Sequence, residues 1–289
     1  MTSRTVSPLD ENDFTASVHV YEPHRAGLPP LVPYFRELFR RHEFATELSK
    51  ATLRAANSLT LFGQVWLILN PLLLAAVYFF LVQVLSGANR DMDFFSHLTA
   101  GLFTFYFVSG SISSGAAAIV SGGRLLLNTS FPRLLMPFGA VRTAFFRFLP
   151  TVPVFLVFHL WAGNPTRLET LAALPFLAML VAFSAGMAAL VSALAVYFRD
   201  ISSFLPYILR IWLYVSPVIW LVDQVPKRLL ALAVWNPLFP MIGGFTEALT
   251  EGTVPELSMW LSGTAWAIGA LVVGSLFFIS REREFAVRI

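Results

Sequence analysis

No cysteine occurs in the 289 residues, which excludes disulfides, thiolate metal sites and a cysteine nucleophile. Charge is also scarce. Asp, Glu, Lys and Arg make up 13% of the chain, against roughly a quarter in soluble domains. With 56% hydrophobic residues and a mean hydropathy of +0.69, too little polar surface remains to cover a water-soluble particle. The apolar residues must therefore meet lipid. No G-x-x-x-x-G-K-[ST] is present, so the chain lacks the loop that cradles nucleotide phosphates. The five His (19, 24, 42, 97 and 159) are scattered and no H-E-x-x-H occurs, so neither a metal nor a cofactor is expected on this chain. His159 falls in an apolar stretch and reads as a packed, hydrogen-bonded side chain. The long apolar stretches hold no paired carboxylates of the kind an ion-coupled transporter uses to bind its ion. Work done by such a chain must come from elsewhere, and a separate ATPase is the natural source. The net charge of +3 reads as a set of positive loops on one side of a membrane, not as a nucleic-acid surface.

What is present is a series of long apolar runs. Residues 1–33 are polar, carry five prolines and have no signal-peptide core; they read as a flexible cytoplasmic tail. Residues 34–56 read as an amphipathic helix for the membrane interface. Phe35, Leu38, Phe39, Ala45, Leu48 and Thr52 form its apolar stripe, and Glu37 sits four residues before Arg41. Six apolar stretches follow, at about 61–85, 98–120, 134–162, 171–198, 201–222 and 256–280, each near the roughly 20 residues that span hydrocarbon. Residues 223–255 are broken by Pro and Gly and read as outer re-entrant or interfacial helices. The expected fold is an all-α membrane protein with a six-helix transmembrane domain over 61–280 and a short cytoplasmic C-terminus at 281–289. With the N-terminus inside, only Arg90, Arg167, Lys227 and Arg228 of the twenty Lys and Arg fall outside, so both termini are expected in the cytoplasm. Small residues recur four apart at Ala182/Gly186, Ala185/Ala189, Gly263/Ala267 and Ala270/Gly274. They permit close helix approach, within one chain or between two.

Four motifs then appear in order. After the amphipathic helix comes LFGQVWLILNPLLL, with Gly63, Trp66 and Pro71. GRLLLNTSFPRLLMP follows, with Phe131-Pro132-Arg133 and Pro137. YFRDI at 197–201 carries Arg199 and Asp200 at the inner end of the fourth stretch. Pro217 and then Asn236-Pro237-Leu238 precede the last span. In this order the chain resembles the membrane subunit of type-2 ABC exporters, in the branch that moves polysaccharides such as O-antigen, teichoic acid and galactan; its composition is similar to actinobacterial galactan exporters.

The resemblance implies a homodimer with two copies of a separate ABC ATPase, to which ATP and Mg bind. The plasma membrane (the inner membrane of a two-membraned cell) is the implied location. It also implies that the segment 122–133, with Arg124, Phe131, Pro132 and Arg133, couples to that ATPase, and that 223–255 caps the exit.

Sugar rings offer C–H faces that aromatic side chains can meet. Phe62 and Trp66 lie one turn apart, and Phe204, Tyr207 and Tyr214 share the fifth stretch, so these five are candidates to line a path for a lipid-linked polysaccharide. The competing reading places them against lipid. Arg210 lies inside a span, where a charge costs at least about 2.5–3.5 kcal/mol unless it meets a cavity or partner. It is the candidate contact for the carrier phosphate; snorkelling or helix pairing is the other reading. Two further functions fit the sequence: a type-2 ABC permease for a lipid or drug, and a membrane glycosyltransferase using the D-x-D of Asp91 and Asp93.

Overall fold

The computed structural model describes residues 28–56, 62–86, 92–122, 131–163, 167–222, 233 and 235–288. These are almost wholly helical, and no strand occurs among them. In chain order the helices are α1 (Leu31–Arg40), α2 (His42–Ala56), α3 (Trp66–Ser86), α4 (Met92–Ser121), α5 (Leu135–Phe148), α6 (Thr151–Trp161), α7 (Ala173–Tyr197), α8 (Ile201–Val215), α9 (Leu238–Thr250) and α10 (Leu257–Arg281). Arg124, Asp91, most of the expected coupling segment (123–130) and the first part of the expected outer cap (223–232 and 234) lie outside the described residues.

Five of the six expected spans are long and apolar enough to cross a bilayer: α3, α4, α5 with α6, α7 and α10. The chain is thus a multi-pass membrane protein. The third span is two helices, because Pro150 has no N–H to continue the ladder and the chain turns at Leu149 and Pro150. The fifth stretch differs more. Helix α8 has only 15 residues, about 22 Å, against roughly 30 Å of hydrocarbon. It stops at Ser216, which is extended (φ −92°, ψ 153°) because the next residue is Pro217. Asn236 then holds the start of α9 to the end of α8. Its Nδ2 donates to the Val215 carbonyl and to Ser216 Oγ, both at 3.2 Å, and its Oδ1 accepts from Trp212 Nε1 at 2.7 Å. Helix α9 packs against α4, α7 and the 168–172 turn, with Leu238, Met241, Ile242 and Ala248 fully buried. A short span and a buried helix together fill the depth that the sequence assigned to one span and an outer cap.

The two ends of the bundle can be told apart. Tyr34, before the first span, donates a hydrogen bond to Glu282, after the last, at 2.6 Å. The described N- and C-terminal residues therefore meet at one end, here called the terminal end, which requires an even number of crossings. A second core cluster sits there, joining Tyr34, Leu38 and Ala45 to Leu134, Leu135, Met136, Phe278 and Phe285.

The amphipathic segment is divided at Arg41, whose N–H returns to the Glu37 carbonyl at 3.0 Å with φ −98° and ψ 17°. The buried positions keep one helical phase across this break. Tyr34, Leu38, Ala45 and Ser49 face inward, while Phe39 stays 70% exposed and Thr52 is exposed. Ser49 Oγ bonds to the Gly139 carbonyl at 2.9 Å, fixing α2 on α5. The expected Glu37–Arg41 pair forms, with Arg40 as a second partner at 2.6 Å. The Arg41 hydrogen bond holds the Glu37 carboxyl below its ordinary range.

The small residues of α7 and α10 serve packing within one chain. A Cβ on Gly186 would overlap the backbone of Ala270 and Leu271, and one on Gly274 would overlap the Gly186 backbone. Gly269, on the same helix, faces open space. Gly186→Ala is expected to destabilise the bundle by about 1–3 kcal/mol or more, by forcing the two backbones apart. Gly269→Ala should be neutral or slightly stabilising. Chemical unfolding of the detergent-solubilised protein checks the contrast; equal behaviour of the two variants would contradict this packing.

Candidate functional site

The first candidate region is the junction at the terminal end. Arg133, half-buried, donates to the main-chain carbonyl of Glu282. Tyr34 Oη donates to the Glu282 carboxylate and lies 3.4 Å from the Leu134 N–H. Burial, with the Glu282 carboxylate beside it, pushes the Tyr34 hydroxyl far above its ordinary range, so it stays a donor. Beside this contact, Tyr197 at the end of α7 donates to Glu284 at 2.6 Å, and Arg288 lies 4.4 Å over the Tyr197 ring. Three segments far apart in the chain thus meet within one hydrogen-bond shell. Phe131 packs its ring 5.3 Å from Phe44 of α2, and Pro132 is buried. Arg199 and Asp200 are exposed on the turn between α7 and α8. Asp200 starts α8 through its backbone carbonyl, which accepts from Ser203 and Phe204, and not through its side chain.

The second region is a pair of intramembrane clefts beside α4. One, of about 700 Å³, runs between α3 and α5; Trp66, Asn70, Tyr106 and Arg147 line it. Arg147 Nε is buried with no hydrogen-bond partner among the described residues. The other, of about 540 Å³, lies between α3, α4 and α8; Tyr78, Tyr106, Ser109, Arg210 and Tyr214 line it. The Tyr78 and Tyr214 rings meet at 6.5 Å, edge to face. Tyr106 and Gly110 border both clefts. Neither cleft is lined by a carboxylate among the described residues, so each offers positive charge and hydroxyls in a largely apolar wall. That combination suits an anion attached to something apolar or sugar-like.

The residues expected to line a path divide accordingly. Tyr214 and Arg210 share one cleft, and Trp66 lines the other, with Phe62 edge-on to it at 5.6 Å. Phe204 and Tyr207 join neither and are 63% and 68% exposed. Leu205, Leu209 and Leu213 are the buried stripe of α8, which leaves most of that helix surface outward. Within one protomer these aromatics do not enclose a channel. Asp93 sits in the first turn of α4. His159 is buried with its ring 5.4 Å from Phe155.

Sequence reasoning missed Tyr34 and Glu282 as a pair, and Tyr78 and Tyr106 as cleft residues. A signal existed for Glu282: it is the first carboxylate after the last span, set between two arginines. Nothing marked Tyr34 or Tyr106, because tyrosines near a membrane interface or within a span are too common to single out.

The described residues form an all-helical, multi-pass bundle with a basic terminal end and clefts lined by arginine and tyrosine. Comparison with known proteins gives a narrower likeness. The chain is 26% identical over 208 residues to the O-antigen export system permease protein RfbA of Klebsiella pneumoniae, covering 72% of this chain and 80% of that protein. It is 27% identical over 264 residues to RfbA of Myxococcus xanthus, covering 90% of this chain and the whole of that protein. The polysialic acid transport protein KpsM of Escherichia coli is 23% identical over 229 residues, 76% of this chain and 86% of that protein. No family model matches the chain. The chain is thus similar, at 23–27% identity, to permease and transport proteins of polysaccharide export.

Tyr34→Phe removes only the hydroxyl of the junction. It is expected to cost about 1–3 kcal/mol, the usual loss for a hydrogen bond to a charged group with its partner left behind. Amide hydrogen exchange should rise together in residues 31–40 and 133–138. Unchanged exchange in both segments would mean that this contact ties nothing together.

Proposed function

We propose that this chain is the membrane subunit of an ATP-driven exporter, moving a lipid-linked polysaccharide outward across the cytoplasmic membrane. It works as a homodimer with two copies of a separate ABC ATPase, which binds ATP and Mg. The observation that carries this reading is the likeness to an O-antigen export permease over 90% of the chain. Both termini then lie in the cytoplasm. The positive-inside rule supports that orientation, since Arg36, Arg40, Arg41, Lys50, Arg54, Arg133, Arg199, Arg281, Arg283 and Arg288 gather at the terminal end.

In this reading the segment 122–133, with Arg124, Phe131, Pro132 and Arg133, docks on the ATPase. A movement of Arg133 is passed through Glu282 to the foot of α10 and through Tyr34 to α1. Arg199 and Asp200 present a second exposed patch on the same face. The close packing of α7 on α10 makes that push a displacement of paired helices and not of a loop.

The cargo meets the clefts beside α4. Arg210 with Tyr214, and Arg147 with Trp66, supply an electropositive and aromatic wall for the carrier phosphate and the first sugars. Phe62, Phe204 and Tyr207 point outward from one protomer, as a path completed by a second copy requires. Aromatic faces hold sugar by many weak contacts, so a glycan can advance without a deep trap.

Co-purification with an ABC ATPase tests the reading. Addition of a lipid-linked glycan should raise ATP hydrolysis of the complex. Arg210→Ala and Tyr214→Ala should lower that stimulation with the complex intact. Stimulation by a free lipid or drug but not by the glycan would assign the cargo to another class, and export by this chain without the ATPase would refute the proposal.

A further inference from the structure

A third cavity, of about 530 Å³, lies outside the clefts used above. It sits beneath the amphipathic segment, between α1, α5 and α10 at the terminal end. Its walls are apolar, with Phe39, Phe138, Leu271 and Leu276 among them. From the end of α10 at Arg281 to Leu271 is ten residues, so the groove reaches about 15 Å into the bilayer. Two nitrogen-bearing side chains stand on its lining, Arg142 of α5 and His42 at the start of α2. Arg142 lies seven residues beyond the start of α5, about 10 Å in, the depth from which an arginine reaches the headgroups.

No carboxylate lines the groove among the described residues. The nearest acid of α1, Glu37, is engaged by Arg40 and Arg41. Arg142 forms no ion pair among the described residues; its guanidinium lies 5.7 Å from the Phe146 ring centroid. His42 Nδ1 is bonded to the Phe39 carbonyl at 2.8 Å, so Nε2 is the nitrogen left for another partner. The groove thus has an apolar floor at acyl depth and unneutralised positive charge at headgroup depth.

We infer that this groove binds one anionic phospholipid of the leaflet at the terminal end. One acyl chain lies along Phe138, Leu271 and Leu276, and the phosphate sits between Arg142 and His42. An anionic lipid fits and a zwitterionic one does not, because nothing acidic in the wall would meet a choline. The bound lipid fills the space under α1, against Phe35, Leu38 and Phe39, and so braces the segment that carries the junction. The site does not depend on the cargo, and a failure of the export reading leaves it untouched.

Native mass spectrometry of the purified full chain, titrated with phosphatidylglycerol and with phosphatidylcholine, tests this. The wild type should retain one phosphatidylglycerol at a free concentration at least about tenfold below that needed for phosphatidylcholine, a difference of about 1.4 kcal/mol. Arg142→Ala should remove that preference, and Arg142→Lys should keep part of it. Leu271→Trp fills the floor and should abolish retention while leaving the charges in place; its unfolding midpoint is measured alongside. Equal retention of the two lipids by the wild type would overturn the site, as would undiminished preference in Arg142→Ala. Displacement by a polyprenyl phosphate at lower concentration than phosphatidylglycerol, or loss of the lipid on dimer formation, would also overturn it by assigning the groove to another occupant.

Discussion

The contact on which the terminal end depends is the one around Glu282. Its carboxylate accepts from Tyr34 and its carbonyl accepts from Arg133, so the first helix, the entrance to α5 and the end of α10 share a single residue. A carboxylate taken partly out of water is costly unless its lone pairs are satisfied. The tie is therefore specific: removal of one partner leaves a half-buried carboxylate short of a donor. The second core cluster packs around this point, and the alignment of α1 and α2 on the bundle follows from it.

The membrane sets the other constraint. Hydrocarbon tolerates neither unpaired backbone nor uncompensated charge. Pro150 and Pro217 break the ladder, and the structure answers each break differently. At Pro150 α6 follows α5 directly after a two-residue turn; at Pro217 helix α8 has ended, and Asn236 satisfies its exposed end. The arginines inside the bundle form no ion pair among the described residues and border open clefts and a groove, while Glu247 of α9 is a half-buried carboxylate. An arginine so placed waits for an anion supplied from outside the chain. Each of these places offers positive charge, and no carboxylate lines it among the described residues.

Much of the architecture was legible in composition and run length. Five spans, the amphipathic start and the Glu37–Arg41 pair follow from apolar length and from helical spacing. Gly63 and the Asn236-Pro237-Leu238 motif were visible as fixed points, and the structure gives their reasons: Gly63 adopts φ +50°, and Asn236 staples two helix ends. The division of 201–255 into a short span and a buried helix was not legible, because hydropathy reports burial in lipid and burial in protein alike. The stripe on 34–56 was read with Phe39 and Thr52 in it, and both are exposed, while Tyr34 and Ser49 are buried on the same helical face as Leu38 and Ala45. Of the site residues, Arg210, Tyr214 and Trp66 border clefts, while Phe204 and Tyr207 do not. Their partners Tyr78 and Tyr106 come from other helices, and no spacing rule within one helix can find them.

The central claim is that the Glu282 junction faces the cytoplasm, where an ATPase can push on it. Because the chain has no native thiol, one introduced cysteine gives a clean answer. Ser203→Cys places it on an exposed residue at the terminal end, and Ser258→Cys on an exposed residue at the opposite end. In intact spheroplasts, a membrane-impermeant maleimide should label Cys at 258 and leave Cys at 203 unlabelled until the membrane is permeabilised. Labelling of position 203 and protection of position 258 would put the junction outside the cell and contradict the account.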